Sequence, residues 1–305
     1  MTASDSSTPA TTASPLFYGT YTALVTPFRN DEVDEKALLD LIERQIAGGV
    51  EGVIPVGTTG ESPTLSQEEH LRVIDLTIKA AKGRVKVIAG TGSNSTREAI
   101  EYTQEAEAMG ADGTLLVAPY YNKPSQAGLI AHFGAIAEAT RLPIILYSIP
   151  GRCGIEIGVD TTATLAANHS TIVGIKEAGG TVDRVSQLRQ ALPESFLIFS
   201  GDDSLTLPFM SVGAVGVISV ASNLAPAEVS ALVNAARSGN FAEAERLHRR
   251  LYPLFRDLFI EPNPVPVKTA MARRDWMTDD VRLPLVGMQP KNRERLEIVL
   301  SALDL

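Results

Sequence analysis

Short apolar stretches alternate with longer amphipathic stretches along the chain from Gly19 onward. The short stretches are rich in β-branched residues, which is typical of buried strands, whereas the longer ones repeat apolar residues at helical spacing. The pattern predicts strands over residues 20–28, 52–56, 85–89, 113–118, 143–147, 171–175, 196–199 and 216–220. It predicts helices over residues 35–47, 67–81, 96–109, 126–140, 182–191 and 226–238. Such an alternation indicates repeated βα units around a parallel sheet.

The number of βα units decides between two α/β architectures. Eight predicted strands with no linker-like interruption favour a single closed (β/α)8 TIM barrel over two doubly wound domains. We therefore expect one barrel over residues 16–238. Two of the helix starts, at Ser66 and Ser95, carry the Ser-x-x-Glu pattern of a capping box, which supports the predicted boundaries.

Residues 239–305 are predicted to form a C-terminal helical region rather than a second catalytic domain. Helices are expected over 241–259 and 293–303, on either side of a Pro-rich connector that begins at Glu261. Pro253 lies within the first of these helices. Because proline removes a backbone donor and clashes with the preceding turn, we expect it to kink or break that helix.

Composition excludes two classes of partner. The chain of 305 residues has 27 Lys and Arg against 36 Asp and Glu, a formal net charge of −9, which is the wrong sign for a general nucleic-acid binder. Its longest apolar runs fall short of the roughly 18 residues that a transmembrane helix needs. Neither nucleic acid nor a membrane is therefore expected as a partner.

The N-terminus and the cysteine count bear on location. Residues 1–15 are almost all Ser, Thr, Ala and Pro, without the basic start or apolar core of a signal peptide, and are predicted to be a disordered tail. Cys153 is the single cysteine, and the four histidines show no zinc-ligand spacing. We expect a cytoplasmic protein with metal-free chemistry, in which Cys153 is a packing residue.

Lys176 is the most informative single residue. In a TIM barrel the active site is expected at the C-terminal ends of the strands, and Lys176 ends an apolar strand. Partial desolvation there would lower its pKa toward neutrality and leave a nucleophilic amine, although a strand lysine taken alone is more often exposed. Other strand ends carry groups that could serve a Schiff-base enzyme, namely Thr58, Thr59, Tyr121, Tyr147 and Arg152.

The glycine-rich segment GTTGES at 57–62 invites a nucleotide-binding interpretation. It lacks the Gly-Lys-Ser/Thr ending of a phosphate-binding loop, and GTG at 90–92 is not followed by the third glycine of a dinucleotide fingerprint. Close backbone approach to a small carboxylate suits the 57–62 segment better. Taken alone, the segment would be interpreted as a plain βα turn.

Five segments lie in order on the predicted strand ends. They are GTTGES at 57–62, VAPYYNKPSQ at 117–126, YSIPGR at 147–152, GIKEA at 174–178 and SGDD at 200–203. Together they resemble the dihydrodipicolinate synthases, within the N-acetylneuraminate lyase superfamily of pyruvate-dependent class I aldolases. The resemblance runs from about Tyr18 to the C-terminus and includes EPNPVPVK at 261–268. It implies condensation of pyruvate with L-aspartate 4-semialdehyde on the diaminopimelate and lysine route.

The resemblance also implies which residues act on protons and covalent bonds. Lys176 would form an imine with pyruvate, and Tyr147 would give and take protons beside it. Thr58 would link Tyr147 to Tyr121, which in this family enters the site of a neighbouring subunit across a tight dimer. A homotetramer built as a pair of tight dimers is expected. Because the protonated lysine imine is itself the electron sink, neither an organic cofactor nor a metal is implied.

Three further positions would recognise the substrates. Thr59 would hold the pyruvate carboxylate, the backbone of Ile218 would contact the bound pyruvate, and Arg152 would receive the carboxylate of the semialdehyde. Two alternatives stay open at this point. One is another pyruvate lyase acting on N-acetylneuraminate or a 2-keto-3-deoxy sugar acid, and the other is a non-catalytic pyruvate sensor on an inherited barrel.

Some members of the family bind L-lysine as an inhibitor in a cleft at the tight-dimer interface. The corresponding positions here are Ser62, Pro63, Gln67, His70, Asn94, Glu98 and Tyr120. Pro63 replaces a common alanine, and Gln67 stands where sensitive members often place histidine or an aromatic ring. Gln67 can form hydrogen bonds but stacks poorly on a ligand. Inhibition by millimolar rather than micromolar L-lysine is therefore expected.

Overall fold

The computed structural model describes residues 16–305, so the disordered tail predicted over residues 1–15 lies outside the described residues. The strands are β1 (Gly19–Ala23), β2 (Phe28–Arg29), β3 (Glu32–Val33), β4 (Gly52–Ile54), β5 (Lys86–Gly90), β6 (Gly113–Val117), β7 (Ile144–Ser148), β8 (Ile172–Glu177), β9 (Leu197–Ser200) and β10 (Gly216–Ser219). The helices are α1 (Glu35–Ala47), α2 (Gln67–Ala81), α3 (Thr96–Met109), α4 (Gln126–Glu138), α5 (Pro150–Cys153), α6 (Val159–Asn168), α7 (Val182–Ala191), α8 (Thr206–Met210), α9 (Pro226–Arg237), α10 (Phe241–Asp257), α11 (Val265–Arg273) and α12 (Pro290–Leu303). The predicted bounds of α1, α2, α3 and α7 are confirmed.

Parallel strands close into a barrel. Their order around it is β1, β10, β9, β8, β7, β6, β5 and β4, so that β1 pairs with both β4 and β10. Barrel strands that follow one another in sequence are adjacent in the barrel, as expected of repeated right-handed βα units. The prediction of a single (β/α)8 TIM barrel with a C-terminal helical appendage is confirmed.

The first predicted strand, over residues 20–28, is too long. β1 ends at Ala23, and the apolar run beyond it leads into a separate antiparallel hairpin of β2 and β3. Pro27, just before β2, has no N–H to donate to a ladder. Asn30 and Asp31 make the two-residue hairpin turn with φ of 54° and 67°, a left-handed backbone that Asn and Asp adopt more readily than most residues.

Four helices were not predicted, namely α5, α6, α8 and α11. The buried side of α6 consists of two threonines and one leucine, which gives little apolar periodicity. α11 lies inside the predicted Pro-rich connector, with Pro266 in its first turn, where the missing N–H has no intrahelical partner to lose. For the same reason α12 begins at Pro290 rather than at residue 293.

Pro253 does not break α10, so that part of the prediction is wrong. The helix runs without interruption from Phe241 to Asp257 with Pro253 inside it. A proline within a helix costs about 3 kcal/mol, but each fully buried large apolar side chain contributes about 1.5–3 kcal/mol. The side chains next to the proline that supply this burial are Leu251, Leu254 and Phe255.

Two apolar layers hold the barrel together. The interior is filled by side chains from successive strands, including Tyr21, Ile54, Ile88, Leu115, Ile145, Phe199 and Ile218. Outside the strands, α10, α11 and α12 share one apolar cluster with α1, α2 and α9, so the C-terminal helices pack directly on the barrel. Among the helices of residues 16–305, none is both long and apolar enough to span a bilayer.

Candidate active site

Lys176 lies near the carboxyl end of β8, where it pairs with Tyr147 of β7 and Phe199 of β9. The residue is 4% exposed. Burial lowers the pKa of its amine to about 7, although the negative charge of Asp203 opposes this shift. The amine is therefore partly neutral near pH 7, which is the state that attacks a ketone.

Tyr147 is the immediate neighbour of this amine. The Lys176 Nζ atom lies 4.2 Å from the centroid of the Tyr147 ring. Burial raises the pKa of the Tyr147 hydroxyl to about 12, against the lowering effects of Arg152 and of a hydrogen bond with Thr58. The hydroxyl is thus protonated at neutral pH and sits where it can donate a proton beside the lysine.

Thr58 and Tyr147 also line one small cavity. Its volume is about 30 Å³, and its walls include Gly57, Ser62 and Leu115. That is space on the scale of a water molecule or two. The loop after β4 and the end of β7 therefore meet around a cavity that suits a small leaving group or a proton-relay water.

Thr59 and Arg152 are joined through Asn263. The Asn263 Nδ2 atom donates a hydrogen bond of 3.0 Å to the Oγ1 atom of buried Thr59. The Arg152 Nη2 atom donates to the backbone oxygen of Asn263 at 3.2 Å. Asn263 is part of the Pro-rich segment quoted from the sequence, but no role was predicted for it, since nothing local shows that residues 204 positions apart meet.

Asp203 is a second residue to which the sequence assigned no role. Its buried carboxylate accepts hydrogen bonds from the Ser219 hydroxyl at 2.5 Å and from the backbone N–H groups of Val220 and Ala221 at 3.0 Å. Burial raises the pKa of Asp203 to about 6. The carboxylate ties the end of β9 to the end of β10, the strand that carries Ile218. Its position directly after an apolar strand was the available signal.

Comparison with known proteins shows the family of this chain. Residues 16–303 match the model of the dihydrodipicolinate synthetase family. The chain belongs to this family. The resemblance predicted from the five sequence segments is thereby confirmed.

Relatives in the dihydrodipicolinate synthetase family match nearly the full chain. The 4-hydroxy-tetrahydrodipicolinate synthase of Syntrophus aciditrophicus (strain SB) is 52% identical over 286 residues, which cover 94% of this chain and 98% of the relative. The structure of the 4-hydroxy-tetrahydrodipicolinate synthase from Methylacidiphilum fumariolicum SolV has a TM-score of 0.94 at 59% identity, covering 94% of this chain and 96% of that one. The crystal structure of DHDPS from Cyanidioschyzon merolae with lysine bound has a TM-score of 0.93 at 42% identity, and the match covers 95% of this chain and 99% of that one.

Tyr121 is set apart from the other residues that the family resemblance singles out. It is 90% exposed and has a φ of 68° in the loop between β6 and α4. The structure thus gathers Lys176, Tyr147 and Thr58 at the barrel mouth and leaves Tyr121 on the surface of the single chain.

The positions at which the family resemblance predicts a lysine cleft lie around α2 and α3. His70 is buried, its Nε2 atom lies 3.0 Å from the Gly90 oxygen, and its ring stacks on Tyr102 with centroids 4.4 Å apart. Burial lowers the pKa of His70 to about 4, so its ring is neutral at pH 7. Gln67, at the first position of α2, is exposed.

Three of the remaining predicted positions form hydrogen bonds nearby. The Asn94 Nδ2 atom donates to the Tyr120 oxygen at 3.2 Å, and Glu98 accepts from the Ser93 hydroxyl at 2.8 Å. Asn94, Glu98 and Tyr120 therefore lie on adjoining elements, at the start of α3 and in the loop after β6. Among residues 16–305, no cluster of His, Cys, Asp and Glu has the geometry of a metal site.

Proposed function

We propose that this chain condenses pyruvate with L-aspartate 4-semialdehyde to give 4-hydroxy-tetrahydrodipicolinate, with pyruvate held as an imine on Lys176. It is a lyase of the Schiff-base type, on the route to diaminopimelate and lysine. The observation that carries the proposal is the buried Lys176 amine, whose pKa is lowered to about 7, with its Nζ atom 4.2 Å from the centroid of the Tyr147 ring. Family membership supports the choice of substrates.

The covalent steps follow from the position of the Lys176 amine beside Tyr147. Neutral Lys176 adds to the ketone carbon of pyruvate, and the carbonyl oxygen takes a proton from Tyr147. One proton of the new ammonium group then passes to the resulting hydroxyl, which leaves as water, and the protonated imine forms. The Tyr147 phenolate then removes a proton from the pyruvate methyl group to give an enamine. The enamine attacks the aldehyde carbon of the second substrate, and the aldehyde oxygen takes up the proton from Tyr147. The semialdehyde's own amino group displaces Lys176, closes the ring and frees the enzyme.

Substrate recognition is assigned to groups that bind carboxylates. Thr59 holds the pyruvate carboxylate and the Ile218 backbone contacts the bound pyruvate. Arg152, whose guanidinium can form two parallel hydrogen bonds with a carboxylate, receives the semialdehyde. Geometry supports this assignment, because Thr59 and Arg152 both form a hydrogen bond with Asn263 and therefore lie close together.

The proton relay is proposed to need a second subunit. Thr58 passes protons between Tyr147 and the Tyr121 hydroxyl of a neighbouring copy. Tyr121 is 90% exposed in the single chain. This supports the proposal, because an exposed tyrosine can take part in a proton relay only when another surface covers it. The assembly proposed is a homotetramer made of two tight dimers, and the proposed location is the cytoplasm.

Borohydride trapping combined with an acceptor panel tests the function. Pyruvate and borohydride should leave a reduced adduct on the Lys176 peptide, and Lys176→Met should abolish it. An adduct on Lys86, Lys123 or Lys268 would contradict the assignment. With pyruvate fixed, turnover should occur with L-aspartate 4-semialdehyde and not with N-acetylmannosamine or glyceraldehyde, whose use would instead indicate a sugar-acid lyase.

A further inference from the structure

A buried ion pair lies behind the 57–62 loop. The Glu61 side chain is 2% exposed and the Lys268 side chain 0% exposed, and the carboxylate contacts the amine directly. The Lys268 Nζ atom also donates to the Asp280 oxygen at 2.9 Å, and the other Glu61 oxygen accepts from the Arg282 backbone N–H at 3.1 Å. The pair therefore connects the loop after β4 with α11 and with the chain that follows it.

Glu61 is also part of the loop backbone that carries the two threonines. Its φ of 55° lies in the left-handed region, which a residue other than glycine adopts only when its surroundings hold it there. The Glu61 N–H donates to the Thr58 oxygen at 3.1 Å, and the Thr64 hydroxyl donates to the Glu61 oxygen at 3.1 Å. A shift of the Glu61 side chain would therefore move Thr58.

The same C-terminal segment reaches the loop at a second point. Asn263, five residues before Lys268, donates to Thr59 at 3.0 Å and accepts from Arg152 at 3.2 Å. Lys268 itself lies in the first turn of α11, where its N–H donates to the Pro264 oxygen at 3.0 Å. An anchor at Lys268 therefore fixes the segment that spans the two proposed carboxylate sites.

We propose that Glu61 and Lys268 are positioning residues for pyruvate binding, because their ion pair sets the position of Thr58 and Thr59 at the barrel mouth. The inference rests on the function proposed above. A role in stability alone explains the pair less well, since well-packed apolar residues stabilise a protein as much as a buried ion pair does. Apolar residues could not form the directional contact by which Lys268 of α11 holds the left-handed residue Glu61, two positions after Thr59.

Steady-state kinetics of three variants test the pair. Glu61→Gln keeps the shape and can still accept from Arg282, and Lys268→Met keeps the length of the side chain. Each should raise the KM for pyruvate about tenfold or more with a smaller fall in kcat, because displaced binding groups weaken the first substrate complex. The double variant should be no worse than the worse single variant, since both substitutions remove one interaction.

Asp257→Asn is the matched control. The Asp257 carboxylate is also fully buried and accepts from Arg295 at 2.6 Å, between α10 and α12. This variant should lower the thermal midpoint and leave the KM for pyruvate unchanged. Equal KM increases in Glu61→Gln and Asp257→Asn at equal loss of midpoint would overturn the proposal, as would an unchanged KM in Glu61→Gln or multiplied effects in the double variant.

The wild-type protein separates this inference from the proposed function. If borohydride and pyruvate leave no adduct on Lys176 of the wild type, the proposed function fails and the positioning role fails with it. If the adduct forms and the KM in Glu61→Gln does not change, only the positioning role fails. If Lys268→Met does not fold, Glu61→Asp takes its place in the test. Glu61→Asp keeps the charge on a shorter side chain, and the proposal requires that Glu61→Gln and Glu61→Asp both raise the KM for pyruvate.

Discussion

Two buried lysines in this chain differ in what faces them. Lys268 contacts the Glu61 carboxylate, and burial lowers its pKa to about 8, so it is mostly protonated at pH 7. Lys176 lies over the Tyr147 ring with a pKa lowered to about 7. Glu61 opposes the lowering effect of burial at Lys268 and holds that amine in an ion pair, and a paired ammonium does not attack a ketone.

The burial that lowers the pKa of Lys176 should also cost stability. Its folded pKa of about 7 lies below the unfolded value of 10.5, so the unfolded state binds more protons between these values. The stability of the wild type should therefore rise with pH across this window. Lys176→Met, which does not titrate, should be more stable than the wild type at pH 7 by ~2 kcal/mol or more, and this advantage should shrink toward about pH 10.

Urea unfolding of both proteins across that pH range measures the difference. Lys36→Met is the control for removing a lysine as such, because the Lys36 side chain is 86% exposed. A constant advantage of Lys176→Met at every pH would show that the amine is not desolvated in the folded state.

At the scale of elements, the prolines show how position decides the cost of a residue. Pro226 and Pro290 lie at the starts of α9 and α12, where the absent N–H would have no intrahelical partner. Pro253 lies inside α10, where one helical hydrogen bond is lost. α10 persists because its apolar side packs on the barrel, not because its local sequence favours a continuous helix.

Pro253→Ala should therefore stabilise the protein by ~1–3 kcal/mol, since it restores a backbone donor and relieves the clash with the preceding turn. Thermal and urea unfolding would measure this. Pro290→Ala, at a helix start, should give no comparable gain. A loss of stability in Pro253→Ala would mean that the backbone of α10 has adjusted to the proline and that its ring packs better than a methyl group.

At the scale of the whole molecule, the site draws on distant parts of the chain and on the surface. Thr59, Arg152 and Asn263 come from the loop after β4, from α5 and from the segment before α11, yet they touch. Tyr121 faces outward and is 90% exposed. An interface that covers this surface is the simplest way to bring a second tyrosine to a barrel mouth.

The subunit proposal makes a prediction about Tyr121→Phe. It should keep imine formation in the borohydride assay but slow turnover by about 10²-fold or more, the usual scale for a lost acid/base group. Mixing this variant with Lys176→Met should restore activity, because one mixed dimer site would hold both an intact lysine and a partner's intact tyrosine. Sedimentation should show a tetramer, and a fully active monomer would refute the proposal.

L-lysine is predicted to bind weakly at the positions of the predicted lysine cleft. Gln67 is exposed at the start of α2 and offers hydrogen bonds in place of a stacking ring, and one or two missing contacts of roughly 1 kcal/mol each would move binding from micromolar toward millimolar. Calorimetric titration of the pyruvate-loaded enzyme with L-lysine measures this. Gln67→His should tighten binding; micromolar binding by the wild type would show the Gln67 argument to be wrong.

The sequence by itself determined the barrel and predicted the nucleophile. Periodicity of apolar residues is a local property, so it predicts strands and helices directly, and repeated βα units close in only a few ways. Because the carboxyl ends of barrel strands converge, Lys176 and Tyr147 could be assigned to one site before the structure was known. The pairing of these two residues on β7 and β8 agrees with that expectation.

Only the tertiary structure decided the contacts that hold the site together. Asn263 meets Thr59 across 204 positions, Lys268 meets Glu61 from the far end of the chain, and Asp203 ties β9 to β10. No local pattern encodes such contacts, because they depend on how finished elements pack. The same reason explains the intact α10: its helical state is fixed by burial against the barrel, which outweighs the local effect of Pro253.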